Sequence, residues 1–383
     1  MNKPVYLDYA AATPLDPRVL KVMQPYFTEH FYNPSALYLA SRSVKAALNE
    51  ARTQVAKLLT ARPAEIIFTA GGTEANNICI RGVMEQYPGR KVLISTIEHE
   101  SVRATAGEYV CSEIGVDKNG LLDSVDLVSQ LDDDVVLVSV IFASNEVGTI
   151  QDLRSISEII ANTKKDRRTR GVEIPLYFHT DATQAAAYLN LSPKIYGVDF
   201  MTINGGKIYG PKQSGILYVR SGAILKPIIT GGGQEKNLRS GTENVAACIG
   251  FAMALNIAQK SSKSESERLI ILRDWLRTEL EKLPNGIVFH GHKVKRLPNH
   301  LSFAIPGKDN ERLVMELDEL GFMVATGSAC SAAKTEASHA LQAMGVNKEL
   351  AQSTLRLTLG RQTTKAEINS FIKTLTSLLA KNL

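Results

Sequence analysis

Through its first two thirds the chain alternates short apolar segments with stretches of helical spacing, and few architectures accommodate that order. Val44, Ala47, Leu48, Ala51, Val55, Leu58 and Leu59 keep a helical period, and residues 65–69 then read as a buried strand. Further strands are expected at 91–95, 135–141, 176–179, 200–203 and 215–219, several of them separated by helical patterns. This order predicts an α/β fold with a mostly parallel sheet covered by helices on both faces. A helix from about 244 to 259 leads into the polar run 260–267 (KSSKSESE), which is expected to be a boundary or an exposed connection. A smaller α+β unit is expected after it. That unit has an amphipathic helix carrying Leu269, Ile270, Leu272, Trp275, Leu276 and Leu280, strands near 287–290 and 300–304, and a closing helix over 365–379. The large domain is placed at 15–258 and the small one at 1–14 with 259–383.

Composition narrows the function classes. The 383 residues are 44% hydrophobic and 22% charged, enough to bury a sizeable core in two units. Apolar runs such as 135–142 fall well short of the ~20 residues a membrane span needs, and Met1-Asn2-Lys3-Pro4 opens no signal peptide, so the cytoplasm is expected. Net charge is a modest +5; its most basic stretch, 164–170 (KKDRRTR), reads as a solvated loop, and direct nucleic-acid binding is not expected. Four cysteines, at 79, 111, 248 and 330, form no Cys-x-x-Cys pair and no zinc spacing. His290-Gly291-His292 lacks a third patterned ligand, so no metal is expected, and at least one thiol is left to react.

Chemistry-bearing residues cluster after the expected strands. Ala70-Gly71-Gly72-Thr73-Glu74-Ala75-Asn76-Asn77 opens a helix where glycines, helical N–H groups and the Thr73 hydroxyl can cradle a phosphate, although such a turn is also a plain structural device. It matches neither GxGxxG nor the P-loop, which argues against a dinucleotide or nucleoside-triphosphate enzyme. Asp181, in Asp181-Ala182-Thr183-Gln184, reads either as a helix cap or as a carboxylate for a protonated pyridine nitrogen at the sheet's carboxyl end. His99 is a core or surface imidazole, or one that stacks on an aromatic cofactor and moves protons. Gly231-Gly232-Gly233 leads to Thr242, in a flexible loop and N-cap or in a second phosphate donor set. Lys207, in Gly205-Gly206-Lys207-Ile208-Tyr209-Gly210-Pro211-Lys212, can form a Schiff base with a cofactor aldehyde, and Cys330, in Gly327-Ser328-Ala329-Cys330-Ser331, can act as a nucleophile from a small-residue loop. Together they point to pyridoxal chemistry ending in sulfur transfer.

With these pieces in order, the chain resembles the cysteine desulfurases of the NifS/IscS type, in the class V aminotransferase group of fold-type I pyridoxal-phosphate enzymes. The resemblance runs through Tyr6-Leu7-Asp8-Tyr9-Ala10-Ala11, Asn33-Pro34-Ser35, Gly72-Thr73-Glu74-Ala75-Asn76-Asn77, Glu98-His99, Asn145-Glu146-Val147-Gly148, Asp181-Ala182-Thr183-Gln184, Lys207-Ile208-Tyr209-Gly210-Pro211-Lys212, Arg239-Ser240-Gly241-Thr242, Gly327-Ser328-Ala329-Cys330 and 355–361. It implies a seven-stranded type of large sheet, pyridoxal 5′-phosphate as cofactor and L-cysteine as substrate. By the same resemblance Lys207 carries the cofactor, Asp181 pairs with its pyridine nitrogen, Gln184 binds its phenolic oxygen and His99 stacks on its ring. Gly72 and Thr73 bind the phosphate, with Thr242 supplied by the second subunit of a homodimer. Asn145 and Arg356 hold the substrate carboxylate, with Asn33 nearby. Cys330, in a mobile loop from 326 to about 338, takes the substrate sulfur as a persulfide and hands it to an iron–sulfur scaffold or, next, to a tRNA-thiolation protein.

The sequence departs from the family at two places. Asn204-Gly205-Gly206-Lys207 stands where a serine and a histidine usually precede the lysine, so Asn204 and the Gly206 N–H are expected to serve the phosphate with one side-chain donor fewer. Tyr38 stands where a histidine commonly follows Asn-Pro-Ser. The competing readings are a selenocysteine lyase or another class V enzyme, and a catalytically degenerate scaffold; retention of Lys207, Asp181, His99, Cys330 and Arg356 opposes the scaffold.

Overall fold

A computed structural model describes residues 4–284, 286–327 and 338–381. Cys330 and its immediate neighbours lie outside the described residues. Seven strands form the main sheet, in the spatial order Ile66–Thr69, Gly215–Val219, Phe200–Asn204, Tyr177–Asp181, Val135–Ser139, Lys91–Ser95 and Val110–Ile114. Gly215–Val219 alone runs against the others, since both of its pairings are antiparallel and the remaining four are parallel.

The strands read as apolar runs because both faces are covered. Alternate residues enter opposite cores: Phe68, Phe178, Met201 and Ile216 join one layer, while Ile67, Tyr177, Phe200 and Leu217 join the other. The first layer is closed by Leu39–Leu58 and by Ala246, Phe251 and Leu255; the second by Ile78, Ile80 and Val83 of Gly72–Gln86. A four-stranded antiparallel sheet, in the order Ala325–Thr326, Thr354–Thr358, His300–Ala304 and Val288–His290, builds a separate core of Leu301, Phe303, Leu355 and Leu357 with Leu272, Phe371 and the N-terminal Leu7.

Several expectations need correction. The polar run 260–267 is not a connection: Val245–Glu281 is one helix of 37 residues. Ala258 faces the core of the large sheet and Leu269 that of the small sheet, and the polar turns between them bridge the two, which is why they lack an apolar stripe. The basic stretch 164–170 is the end of helix Leu153–Thr169, and Arg167 within it is buried, with Nη2 donating to the carbonyl of Val135 at 2.8 Å. The strand that carries Asp181 ends on that residue rather than before it, so no helix follows for Asp181 to cap. Strands Val110–Ile114 and Thr354–Thr358 had no place in the pattern: the first is a half-exposed edge, and the second carries a buried arginine. Among the described residues, no helix is long and apolar enough to cross a membrane.

Candidate active site

The parallel strands release their loops at one end of the sheet, where open α/β sheets bind ligands. Ile66–Thr69 leads through Gly71, whose φ of 124° only glycine adopts readily, into the helix that starts at Gly72. Gly72 leaves room for an approach from outside the helix: a Cβ there would stand 3.2 Å from Thr183 Oγ1 and 3.5 Å from Asn204 Nδ2. The Thr183 hydroxyl is itself buried with no hydrogen-bond partner among the described residues. Thr73, in contrast, is exposed.

Asn204 ends strand Phe200–Asn204, and its Oδ1 accepts the Gly206 N–H at 2.9 Å. That bond corrects the expectation that Gly206 offers its N–H to a phosphate, because the group is already used; it also turns the donor end of Asn204 toward Gly72. Lys207 closes the short turn Gly205–Lys207, and its amine donates to the Ala11 carbonyl at 2.5 Å.

Asp181 is buried, and it accepts from the Asn76 amide at 2.8 Å and from the Thr183 N–H at 2.9 Å. Both donors are neutral, so the carboxylate has a place for a cationic partner. Asn76 bonds Ser101 Oγ as well, at 2.9 Å, and Ser101 in turn meets His99 Nδ1 through its hydroxyl at 2.8 Å and its N–H at 3.1 Å. Each link sets the next: the amide donates at both ends, the serine accepts and then donates, and His99 is left with its proton on Nε2 in the neutral ring. Glu98, buried beside them, accepts from the Ile141 N–H; burial first and the Asp181 charge second push its carboxyl well above the usual range.

The N-terminal segment laces the other side. Gln184 Nε2 donates to the Ala10 carbonyl at 3.0 Å, and Thr13 Oγ1 donates to the Gly206 carbonyl at 3.0 Å. Arg356, centred in Thr354–Thr358, points away from its core neighbours Leu355 and Leu357; Nη1 donates to the Asn145 carbonyl at 3.0 Å and Nη2 to Asp8 Oδ1 at 2.7 Å. His300 Nε2 lies 3.3 Å from the same Asn145 carbonyl, and burial pushes this imidazole down to about 3.

The structure therefore links Gly72 with Asn204, His99 with Asp181 through Asn76, Lys207 and Gln184 with residues 10–11, and Asn145 with Arg356. Asn33 is exposed, and its Oδ1 accepts from Ser35 within its own turn. Thr242 is exposed on the chain, and Cys330 is outside the described residues. Sequence reasoning missed Asp8, Asn76, Ser101, Thr183 and His300 as parts of the site. For Asn76 a signal existed, since it stands one helical turn after Gly72 on the same face; for Asp8 and His300 none did, because their partners are far along the chain.

Three features among the described residues fit pyridoxal phosphate: an orphaned hydroxyl and a bare glycine at a helix N-terminus for the phosphate, a buried carboxylate held by neutral donors for the pyridine nitrogen, and a lysine amine for the aldehyde. The class of protein is defined by the match of residues 5–371 to the class-V aminotransferase family, and the chain belongs to that family of pyridoxal-phosphate enzymes. It is similar to the cysteine desulfurase IscS of Dictyoglomus turgidum, 39% identical across 100% of this chain and 96% of that one. Among solved structures, a NifS-like protein superposes with a TM-score of 0.91 at 31% identity, covering 98% of this chain and 99% of that one. Another, SspA in complex with cysteine, gives a TM-score of 0.79 at 29% identity over 93% and 98% of the two chains.

Proposed function

We propose that the chain is a pyridoxal-phosphate-dependent cysteine desulfurase that converts L-cysteine to L-alanine and places the sulfur on Cys330. The observation that carries this reading is a site bounded by the Asp181 carboxylate, held by neutral donors, and by the buried Arg356 guanidinium, with the Lys207 amine held by the same N-terminal segment that reaches both Gln184 and Arg356. Bound there, pyridoxal phosphate supplies an aldehyde for the substrate amine and a ring that takes up the electron pair released at the α-carbon. Asp181 keeps the pyridine nitrogen protonated, while Thr183, Asn204 and the Gly72 end of the helix hold the phosphate. Arg356 orients the substrate carboxylate, the Lys207 amine accepts and returns a proton, and His99, its Nδ1 held by Ser101, would stack on the ring.

The sulfur step is balanced without an outside oxidant. The Cys330 thiolate forms an S–S bond to the substrate sulfur, the substrate C–S bond breaks, and L-cysteine plus thiol becomes L-alanine plus persulfide. The other cysteines are poor rivals: Cys79 and Cys248 are buried with their thiols pushed far up by desolvation, and Cys111 is pushed up to about 11. The exposed Thr242 supports a homodimer in which it reaches the phosphate of the other subunit. We place the protein in the cytoplasm, with an iron–sulfur scaffold as first choice of sulfur acceptor and a tRNA-thiolation protein as second.

The test is an assay of L-alanine and sulfide from L-cysteine with a reductant present. Cys330→Ser is expected to bind the cofactor as the parent does and to form no persulfide, because a hydroxyl is a far weaker nucleophile at neutral pH. Sulfide release by the variant at the parental rate would remove Cys330 from the reaction.

A further inference from the structure

Asp8 is the member of the N-terminal segment that the proposed reaction leaves without a role, and it stands at the buried guanidinium of Arg356. Arg356 is 2% exposed, so its charge needs a partner inside the protein. That partner is Asp8, which accepts from Nη2 through a single oxygen at 2.7 Å, while Nη1 is taken by the Asn145 carbonyl. The Nε of the same group is buried and has no partner among the described residues. Asp8 is thus an internal carboxylate bound to an arginine whose remaining edge still lacks the fork that guanidinium and carboxylate form.

We propose that Asp8 is a specificity-determining residue that competes with the substrate carboxylate for Arg356 and so sets how weakly small amino acids are held. This rests on the desulfurase reading, in which Arg356 takes that carboxylate. The competition follows from charge. A ligand carboxylate that reaches Arg356 meets a cation already neutralised and a second anion beside it, and like charges at one interface oppose binding. Residence of Asp8 also keeps Arg356 from being a buried unpaired cation when no substrate is present, a state that strongly destabilises a protein. The geometry makes the ligand's carboxylate, and not its side chain, the group that feels Asp8.

The experiment compares wild-type, Asp8→Asn and Asp8→Ser holoenzymes by calorimetry with two probes. L-Alanine carries the carboxylate; L-alaninol has the same carbon frame without it. Removing the Asp8 charge is expected to tighten L-alanine by at least about tenfold, the least that relief of one like-charge juxtaposition should give, and to leave L-alaninol unchanged. L-Alanine is also expected to raise the melting temperature of the variants more than that of the parent, since it restores the lost counter-charge. Recovery of a variant only when L-alanine is present supports the proposal in the same way. L-Alanine bound no more tightly by either variant overturns it, as does failure of both to fold with L-alanine present, which would make Asp8 a framework anchor. A wild-type holoenzyme that leaves L-cysteine intact overturns the desulfurase reading beneath it; normal turnover with no gain in the variants overturns the role of Asp8 alone.

Discussion

Gly206 separates side-chain chemistry from backbone geometry at the phosphate end of the site. Its φ is not in the left-handed region, and a Cβ there would meet nothing closer than Asn204 Oδ1 at 3.4 Å and Lys212 Cγ at 3.8 Å. Nothing in the turn therefore demands glycine. Gly206→His is expected to fold and to bind pyridoxal phosphate at least tenfold more tightly, because a hydrogen bond to a charged group is worth about 1.5–3 kcal/mol. Titration of the apo-protein measures it, and unchanged affinity would show that Asn204 and Thr183 already fill the cradle. Ser101 invites a second test. Ser101→Ala removes the hydroxyl donor to His99 Nδ1 and one acceptor of the Asn76 amide but keeps the N–H of position 101 on Nδ1, so it is expected to weaken the preference for the Nε2–H tautomer and to lower kcat/KM about three- to tenfold, the worth of one ordinary hydrogen bond. Nitrogen NMR of the His99 ring, with Ser101→Thr as rescue, distinguishes lost orientation from simple loss of packing. An unchanged tautomer preference in Ser101→Ala would free Ser101 of this role.

Helix Val245–Glu281 shows how a long element can hide in a sequence. Its serines return hydrogen bonds to carbonyls of the preceding turn, as Ser261 Oγ does to the Ile257 carbonyl at 2.9 Å, and Glu265 pairs with Arg268 at 2.7 Å. Arg268 then donates to the Thr363 and Gly360 carbonyls at 2.8 Å each, so the polar turns are anchored although they bury little apolar surface. Ser264 is exposed in mid-helix. Ser264→Pro is expected to cost about 3 kcal/mol or more, through a lost backbone hydrogen bond and a ring clash, whereas in an extended connection it would cost almost nothing. Denaturant unfolding decides between them, with Ser264→Ala expected to be neutral to slightly stabilising.

At the scale of the whole molecule, buried imidazoles tie stability to pH. Unfolded histidines take up protons near pH 6.5; burial holds His179 and His290 down to about 4 and His300 to about 3. Between those values the unfolded chain binds more protons than the folded one, so each histidine removes stability as the pH falls, about 2 kcal/mol apiece by pH 5. Glu98 and Glu146 act the other way, because burial raises their folded carboxyls and the folded chain then takes protons first. His290→Gln can keep the bond its ring makes to Thr354 Oγ1 at 3.0 Å, and it is expected to flatten the fall of the urea midpoint between pH 7 and 5 by about one proton's share. An unchanged slope would show that His290 does not supply it. The period of the apolar runs determined the α/β class, six of the seven strands of the large sheet, the turn bearing Lys207 and the strand end bearing Asp181, because strands buried on both faces and glycine turns at their ends are local properties. Contacts between distant residues were decided only by the tertiary structure: the pairing of Asp8 with Arg356, 348 residues apart, and that of Asn76 with Asp181, 105 apart. A hydrogen-bond partner across a fold leaves no period in the chain, since its position depends on how layers stack and not on which residues stand beside it in sequence.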